Sequence, residues 1–197
     1  MVLIPKKPAA VDVDSFRPIC LQNCSLKILS KVLTMRLQGE IPKLININQI
    51  GFIKGRSISD TFVYALELVQ VCHKRKKPAL VLKLDFAKAF DIVNWDALDM
   101  VLQARGFNSA WRRWMQSMQS SRTDVLVNGC PGPWMDCRRG LRQGDPMSPY
   151  LFILVADVLQ VLIRHSGLIR HPTVDDSSCP VLQYADLHTD YSKRRTC

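Results

Sequence analysis

The sequence predicts an α+β fold, and three observations carry that prediction. Apolar residues recur at helical spacing in five separate stretches. An apolar run at 79–86 has the length and alternation of a strand, and Asn128-Gly129 follows alternating residues as a hairpin turn. Residues 1–22, rich in Pro and Lys, read as loop with short strands. The first helix carries Leu26, Leu29, Leu33 and Leu37 on one face and Lys27, Lys31, Thr34 and Gln38 on another, and Gly39 and Pro42 end it. Ser57 and Asp60 fit a capping box for a second helix. That helix runs through Phe62, Leu66 and Val69 to the basic cluster at 73–77, where positive charge suits a helix C-terminus.

In the expected strand at 79–86, Lys83 and Asp85 face one way and Leu82, Leu84 and Phe86 the other. Asn94 caps a helix through Leu98, Val101 and Leu102 that Gly106 stops. Ser109 caps the next, with Trp111, Trp114, Met115 and Met118 on one face. Their spacing favours core over a base-stacking platform. Thr123, Val125 and Val127 alternate into the Asn128-Gly129 turn, and a strand around 134–137 leads into a loop at 140–146. Ser148 and Pro149 fit the N-cap and first position of an apolar helix over 150–165. Its shortness and its Asp157 and Gln160 mark it as buried in protein, not as a membrane span.

A chain of 197 residues can bury a real core and fits one domain. Lys and Arg number 27 against 17 Asp and Glu, a net charge of +10, which suits polyanionic partners or a solvated basic face. The seven cysteines are scattered, none in a Cys-x-x-Cys pair, which points to a reducing compartment. The four histidines have no metal-ligand spacing. The opening Met1-Val2-Leu3-Ile4 is too short for a secretory signal.

Chemistry concentrates at three places. Asp85 ends the apolar run, and Asp186 stands alone in Tyr184-Ala185-Asp186. Two carboxylates from distant strands suit a divalent metal that also binds phosphate oxygens, whereas Asp85 alone could equally pair with Lys83 or cap a turn. Phe90 could lie under a bound sugar or serve as core. Between them, Gly140 and Gly144 flank Leu141-Arg142-Gln143, so a backbone can approach a ligand closely beside arginine charge. A plain basic loop has the same composition.

The stretches "LKLDFAKAFDIVNW" (82–95), "RRGLRQGDPMSPYLF" (138–152) and "QYAD" (183–186), in that order and spacing, resemble the reverse transcriptase domain of non-LTR retrotransposons. So do "DSFRPICLQNCSLKILSKVLTMRL" (14–37) and "NQIGFIKGRSISD" (48–60), which are similar to the fingers motifs of that family. The resemblance spans residues 1–186 and implies a right-hand polymerase fold, with fingers over about 1–78 and mostly palm over 79–186. Residues 187–197 form a divergent polar tail. It implies Mg²⁺ as cofactor, and RNA template, DNA primer and deoxynucleoside triphosphates as partners, with no membrane role. By the same resemblance Asp85 and Asp186 hold the metal, and Phe90 gates against a ribose 2′-OH. Gln143 and Gly144 meet nucleotide and template, while Lys6 and Arg17 hold the triphosphate, with Lys7 competing for Lys6's place.

The sequence departs from this family at Leu187, where the palm motif has a second Asp. Asp190 lies too far along a pleated return strand to replace it. Two Mg²⁺ ions about 4 Å apart repel by roughly 17 kcal/mol at an effective dielectric of about 20, so a lost carboxylate weakens occupancy. The polar tail and the absence of a recognisable thumb give the look of a frameshift or truncation. The expectation is therefore a degenerate reverse transcriptase with little or no activity, the alternative being a noncatalytic basic module that binds RNA or RNA–DNA hybrids.

Overall fold

β1 (Val2–Pro5) and β2 (Phe16–Ile19) open the chain as an antiparallel hairpin, with Val2 opposite Ile19 and Pro5 opposite Phe16. The computed structural model describes residues 1–19, 23–120, 122–167, 169, 171 and 181–183. β3 (Arg122–Thr123) is followed by β4 (Leu126–Val127) and β5 (Cys130–Pro131), which form a second hairpin. Its turn residues Asn128 and Gly129 both take positive φ, 51° and 82°, as a two-residue turn between right-twisted strands requires. β4 runs parallel to β1, giving one four-stranded sheet in the order β2-β1-β4-β5. β6 (Met135–Asp136) pairs antiparallel with β3 outside that sheet. The mixture of helices and small sheets is the α+β class expected.

Seven α-helices occur among the described residues, besides a 3-10 turn at Val13–Ser15. They are α1 (Cys24–Gln38), α2 (Ile41–Leu44), α3 (Ile58–Lys74), α4 (Ala89–Ile92), α5 (Trp95–Ala104), α6 (Ser109–Gln119) and α7 (Ser148–Ser166). Local chemistry explains most of their starts. Ser57 accepts from the Ser59 N–H at the head of α3, and Asn94 accepts from the Ala97 N–H at the head of α5. Two caps fall one residue before the expected ones. Asn108, not Ser109, caps α6, because its side-chain carbonyl reaches the Trp111 N–H at 2.8 Å. At α7 the N-cap is Met147, which puts Ser148 and Pro149 inside the first turn. Asp145 anchors this start by accepting from the Met147 N–H.

The core is built around α7. Leu151, Phe152, Ile153 and Leu154 are buried there against Leu33 and Leu37 of α1, Ile41 of α2, Leu98 and Leu102 of α5, and Met115 of α6. Each fully buried side chain of this kind stabilises by about 1.5–3 kcal/mol. α7 is long and apolar enough to cross a membrane by length and composition alone. Its Asp157 and Gln160, however, are buried in protein, as the sequence suggested. The Asp157 carboxylate accepts from Arg105 Nη2 at 2.6 Å and from the Asn46 N–H at 3.1 Å, while the same guanidinium donates to the Leu44 carbonyl. One buried carboxylate thereby ties α7 to the end of α5 and to the chain leaving α2.

Other expectations fail. Residues 79–86 form no strand and are exposed along their whole length, Leu80 by 92% and Leu82 by 69%. A strand exists only as a hydrogen-bonded ladder, and no strand among the described residues lies beside this run. In α1 the buried face is Ser30, Leu33, Thr34 and Leu37, so Thr34 lies inside while Leu26 and Leu29 are exposed. The polar pair belongs there because Thr34 donates to the Ser30 carbonyl and the Ser30 hydroxyl donates to Asp145. The expected apolar face of α3 is also outside: Phe62, Leu66 and Val69 are exposed, and Cys72 is the buried residue of that helix. On α6, Met115 and Met118 are buried and Trp111 packs on the core, but Trp114 is half exposed.

Candidate active site

The two long motifs are joined backbone to backbone. After the exposed run, Lys88 adopts a left-handed conformation (φ 53°) and turns the chain into α4. The next residues then dock on the segment before α7. The Leu141 N–H donates to the Phe90 carbonyl and the Gly140 N–H to the Val93 carbonyl, both at 2.8 Å. The Trp95 indole N–H donates to the Gly140 carbonyl at 2.8 Å, and Asn94 bridges Arg139 in antiparallel fashion. Gly140 is required at this junction. Its φ is +89°, and an added Cβ would lie 2.8 Å from the Asp91 carbonyl oxygen. The close approach anticipated for this glycine is therefore made to the chain's own backbone.

Gly144 differs. It has φ +87° with nothing within 4 Å of an added Cβ, so its open side can receive a ligand. Leu141, Asp145 and Met147 are buried around it, which pushes Gln143 and Gly144 outward into an exposed turn. Asp145 holds the turn from below, accepting from Ser30 of α1 and from the Met147 N–H, while Arg142 Nη2 donates to the Gln119 carbonyl at 3.4 Å. Sequence reasoning assigned no part to Ser30 or Asp145. The available signal was a small hydroxyl among the leucines of α1, facing an Asp-Pro step.

Phe90 is half-buried and stacks on Phe152 of α7, with ring centroids 4.3 Å apart and planes inclined by 13°. The ring is thus held by core packing at the edge of the motif junction. Asp85 lies in the exposed run, five residues before it, and has neither an ion pair with Lys83 nor a turn-capping hydrogen bond among the described residues. Asp186, with Tyr184, Ala185 and Leu187, lies outside the described residues, and so does its expected pairing with Asp85. Gln183 itself is firmly held. Its backbone exchanges hydrogen bonds with Asn48 and Ile50, its amide donates to the Ala156 carbonyl, and its Oε1 accepts from Gln160.

Lys6 and Arg17 meet on the first hairpin. The Lys6 N–H donates to the Ser15 carbonyl and Arg17 stands opposite Ile4, so Lys6 and Arg17 are diagonal neighbours on one face. Both Lys6 and Arg17 are exposed, as are Arg138 and Arg139 before the junction. The described surface thus carries exposed cations, an open backbone turn at Gly144, and an exposed carboxylate at Asp85.

Comparison with known proteins gives these features a family. The pattern of the family described as reverse transcriptase (RNA-dependent DNA polymerase) matches residues 4–195. The chain is 31% identical over 170 residues to the Pol polyprotein of the type-1 retrotransposable element R2 of Nasonia vitripennis, covering 85% of this chain and 16% of that protein. It is 30% identical over 189 residues to the corresponding R2 polyprotein of Popillia japonica, covering 93% of this chain and 26% of that one. A 149 kDa protein of the Xenopus laevis transposon TX1 is 28% identical over 85% of the chain. The chain thus spans about a quarter or less of the length of these curated relatives. With nearly all of its residues inside the family pattern, the chain belongs to the reverse transcriptase family, as a domain of the non-LTR retrotransposon type.

Proposed function

We propose that this chain is the fingers and palm of a retrotransposon RNA-directed DNA polymerase, with synthesis weakened by Leu187. Fingers would occupy about 1–78, palm 79–186, and a divergent tail 187–197. The observation that best supports the reading is the hydrogen-bonded junction between 89–95 and 139–141. It sets the stacked Phe90 next to the segment that carries the open Gln143-Gly144 turn.

In this reading Asp85 and Asp186 hold Mg²⁺. The exposed Asp85 offers the hard oxygen that Mg²⁺ prefers, although no group of three or more His, Cys, Asp or Glu forms a metal cluster among the described residues. Bound there, the ion would act as a Lewis acid toward phosphate oxygens. The protein's own side chains do the positioning. Lys6 and Arg17, sharing one face of the first hairpin, neutralise the triphosphate of a deoxynucleotide. The Gly144 turn lets backbone and Gln143 approach nucleotide and template. Phe90, braced by Phe152, bars a ribose 2′-OH. RNA template and DNA primer would lie along the basic surface. Leu187 supplies no oxygen where the family has its second palm Asp, so the site has one metal ligand fewer.

Primer extension on an RNA template with Mg²⁺ tests the reading. The expected result is feeble extension by the chain, none after Asp85→Ala, and a gain of about a hundredfold after Leu187→Asp, the order of one lost charge-stabilising group in catalysis. Strong extension by the unaltered chain would overturn the weakened state. Extension unaffected by Asp85→Ala would overturn the site. The missing carboxylate also favours a second reading, a noncatalytic RNA or RNA–DNA hybrid binder drawing on the net charge of +10. Tight hybrid binding with no extension even after Leu187→Asp would select it.

A further inference from the structure

Trp134 is the most exposed tryptophan of the chain, at 69%, and neither the core nor the proposed polymerase site uses it. Trp95 is held by its hydrogen bond to Gly140, and Trp111 packs between Phe107 and Trp114. Trp134 instead precedes β6 on backbone that is ordered in advance. Pro131 and Pro133 fix φ on either side of Gly132, whose N–H donates to the Val125 carbonyl at 2.9 Å. The backbone that carries the ring therefore loses little conformational entropy on meeting a ligand.

Its surroundings define that ligand. Trp134 and Arg138 flank the two-residue β6, and both side chains are exposed. The Asp136 charge is already met by Arg122 at 2.9 Å across the ladder. Arg138 is exposed four residues after Trp134, and the adjoining Arg139 is also exposed. An exposed π-face, a neutralised acid and an outward guanidinium fit a chain that alternates aromatic rings with anions. The segment then runs directly into the Gly140 junction.

We propose that Trp134 and Arg138 form a docking point for a single-stranded nucleic acid, the indole stacking on an unpaired base and the guanidinium meeting a phosphate of the same strand. This inference rests on the polymerase reading, and it adds a contact outside the residues that reading assigns.

The test is a titration of the full chain with 12-nucleotide oligo(U), 12-nucleotide oligo(dT) and a 12-base-pair duplex, read by anisotropy and by tryptophan fluorescence. Trp134→Ala should weaken single-strand binding about tenfold or more, and Trp134→Phe should restore most of that loss. The quenching of indole fluorescence by oligonucleotide should shrink in Trp134→Phe even though its affinity is nearly retained. Arg138→Ala should flatten the dependence of log affinity on log salt by about 0.7 for a single strand. The oligo(U) and oligo(dT) arms decide whether the docked strand is RNA, DNA or either. Unchanged single-strand binding by Trp134→Ala, or an equal loss for the duplex, overturns the inference and leaves the polymerase reading standing. Failure of the unaltered chain to bind any of the three overturns the polymerase reading itself.

Discussion

Residues 79–86 and 89–95 are separated by two positions and are both rich in apolar side chains, yet they meet opposite surroundings. In 89–95 the carbonyls of Phe90 and Val93 accept from Leu141 and Gly140, the Trp95 indole donates to Gly140, and Phe90 stacks on Phe152. In 79–86 no ladder forms among the described residues, and Leu80, Val81, Leu82, Leu84 and Phe86 are exposed. Apolar character is common to both, so it does not decide the outcome. What decides it is whether the backbone groups find partners, because a run of amides without a ladder must remain in water. The left-handed Lys88 lies at the boundary, where an extended chain becomes a docked turn.

The largest expected effect breaks the docked side. Gly140→Ala forces a side chain into φ +89° and sets its Cβ 2.8 Å from the Asp91 carbonyl oxygen. Backbone strain and overpacking each cost about 1–3 kcal/mol, so a loss of about 3 kcal/mol is expected in urea unfolding. Gly144→Ala carries the φ penalty without the clash and should lose less. Equal losses at the two glycines would mean that the junction at Gly140 is not the close approach described.

The exposed side gives the opposite expectation. Leu82→Ser alters a side chain that is 69% exposed, and its effect on stability should stay within about 0.5 kcal/mol. A loss above about 1.5 kcal/mol would mean that the run is buried in solution, as the strand expected from its alternation would be.

These two segments also mark how far the sequence could be read. The Ser57 and Asn94 caps, the Asn128-Gly129 turn and the buried course of α7 were legible because each depends on neighbours within a few positions. Competition between adjacent capping residues moved the start of α6 from Ser109 to Asn108. The face of α1 was not legible, since Ser30 is drawn inside by Asp145, over a hundred residues away, and Thr34 beside it donates to the Ser30 carbonyl. Nor was the role of Gly140, whose tight contact is to Asp91 and not to a ligand. The run at 79–86 failed for the same reason in reverse: alternation describes a strand's faces but supplies no partner. Of the candidate site, the junction, the Gly144 turn and the shared face of Lys6 and Arg17 have geometry. The Asp85–Asp186 pairing falls outside the described residues.

The smallest expected effect again lies on the docked side, where α5 continues from Trp95 and packs on α6. Arg112 Nε donates to Asp99 Oδ1 at 2.8 Å and its Nη2 to Oδ2, a two-pronged pair between those helices. The hydrogen bond from Arg112 holds the Asp99 carboxyl below its ordinary value. Attraction to the guanidinium adds to this, and partial burial opposes it. Because the folded value is depressed, the unfolded chain binds the proton more readily, and the pair stabilises the fold fully only above the unfolded value of about 3.9. That contribution is lost as pH falls through the lower, folded value. The stability difference between the unaltered chain and Asp99→Asn should therefore be level from pH 5 to 8 and shrink below about pH 4. It should also shrink in high salt, since the pair is partly open to water. A difference that stays level down to about pH 2, well below the ordinary Asp value, would mean that Arg112 does not hold Asp99 in solution, and that α5 and α6 are joined by their apolar faces alone.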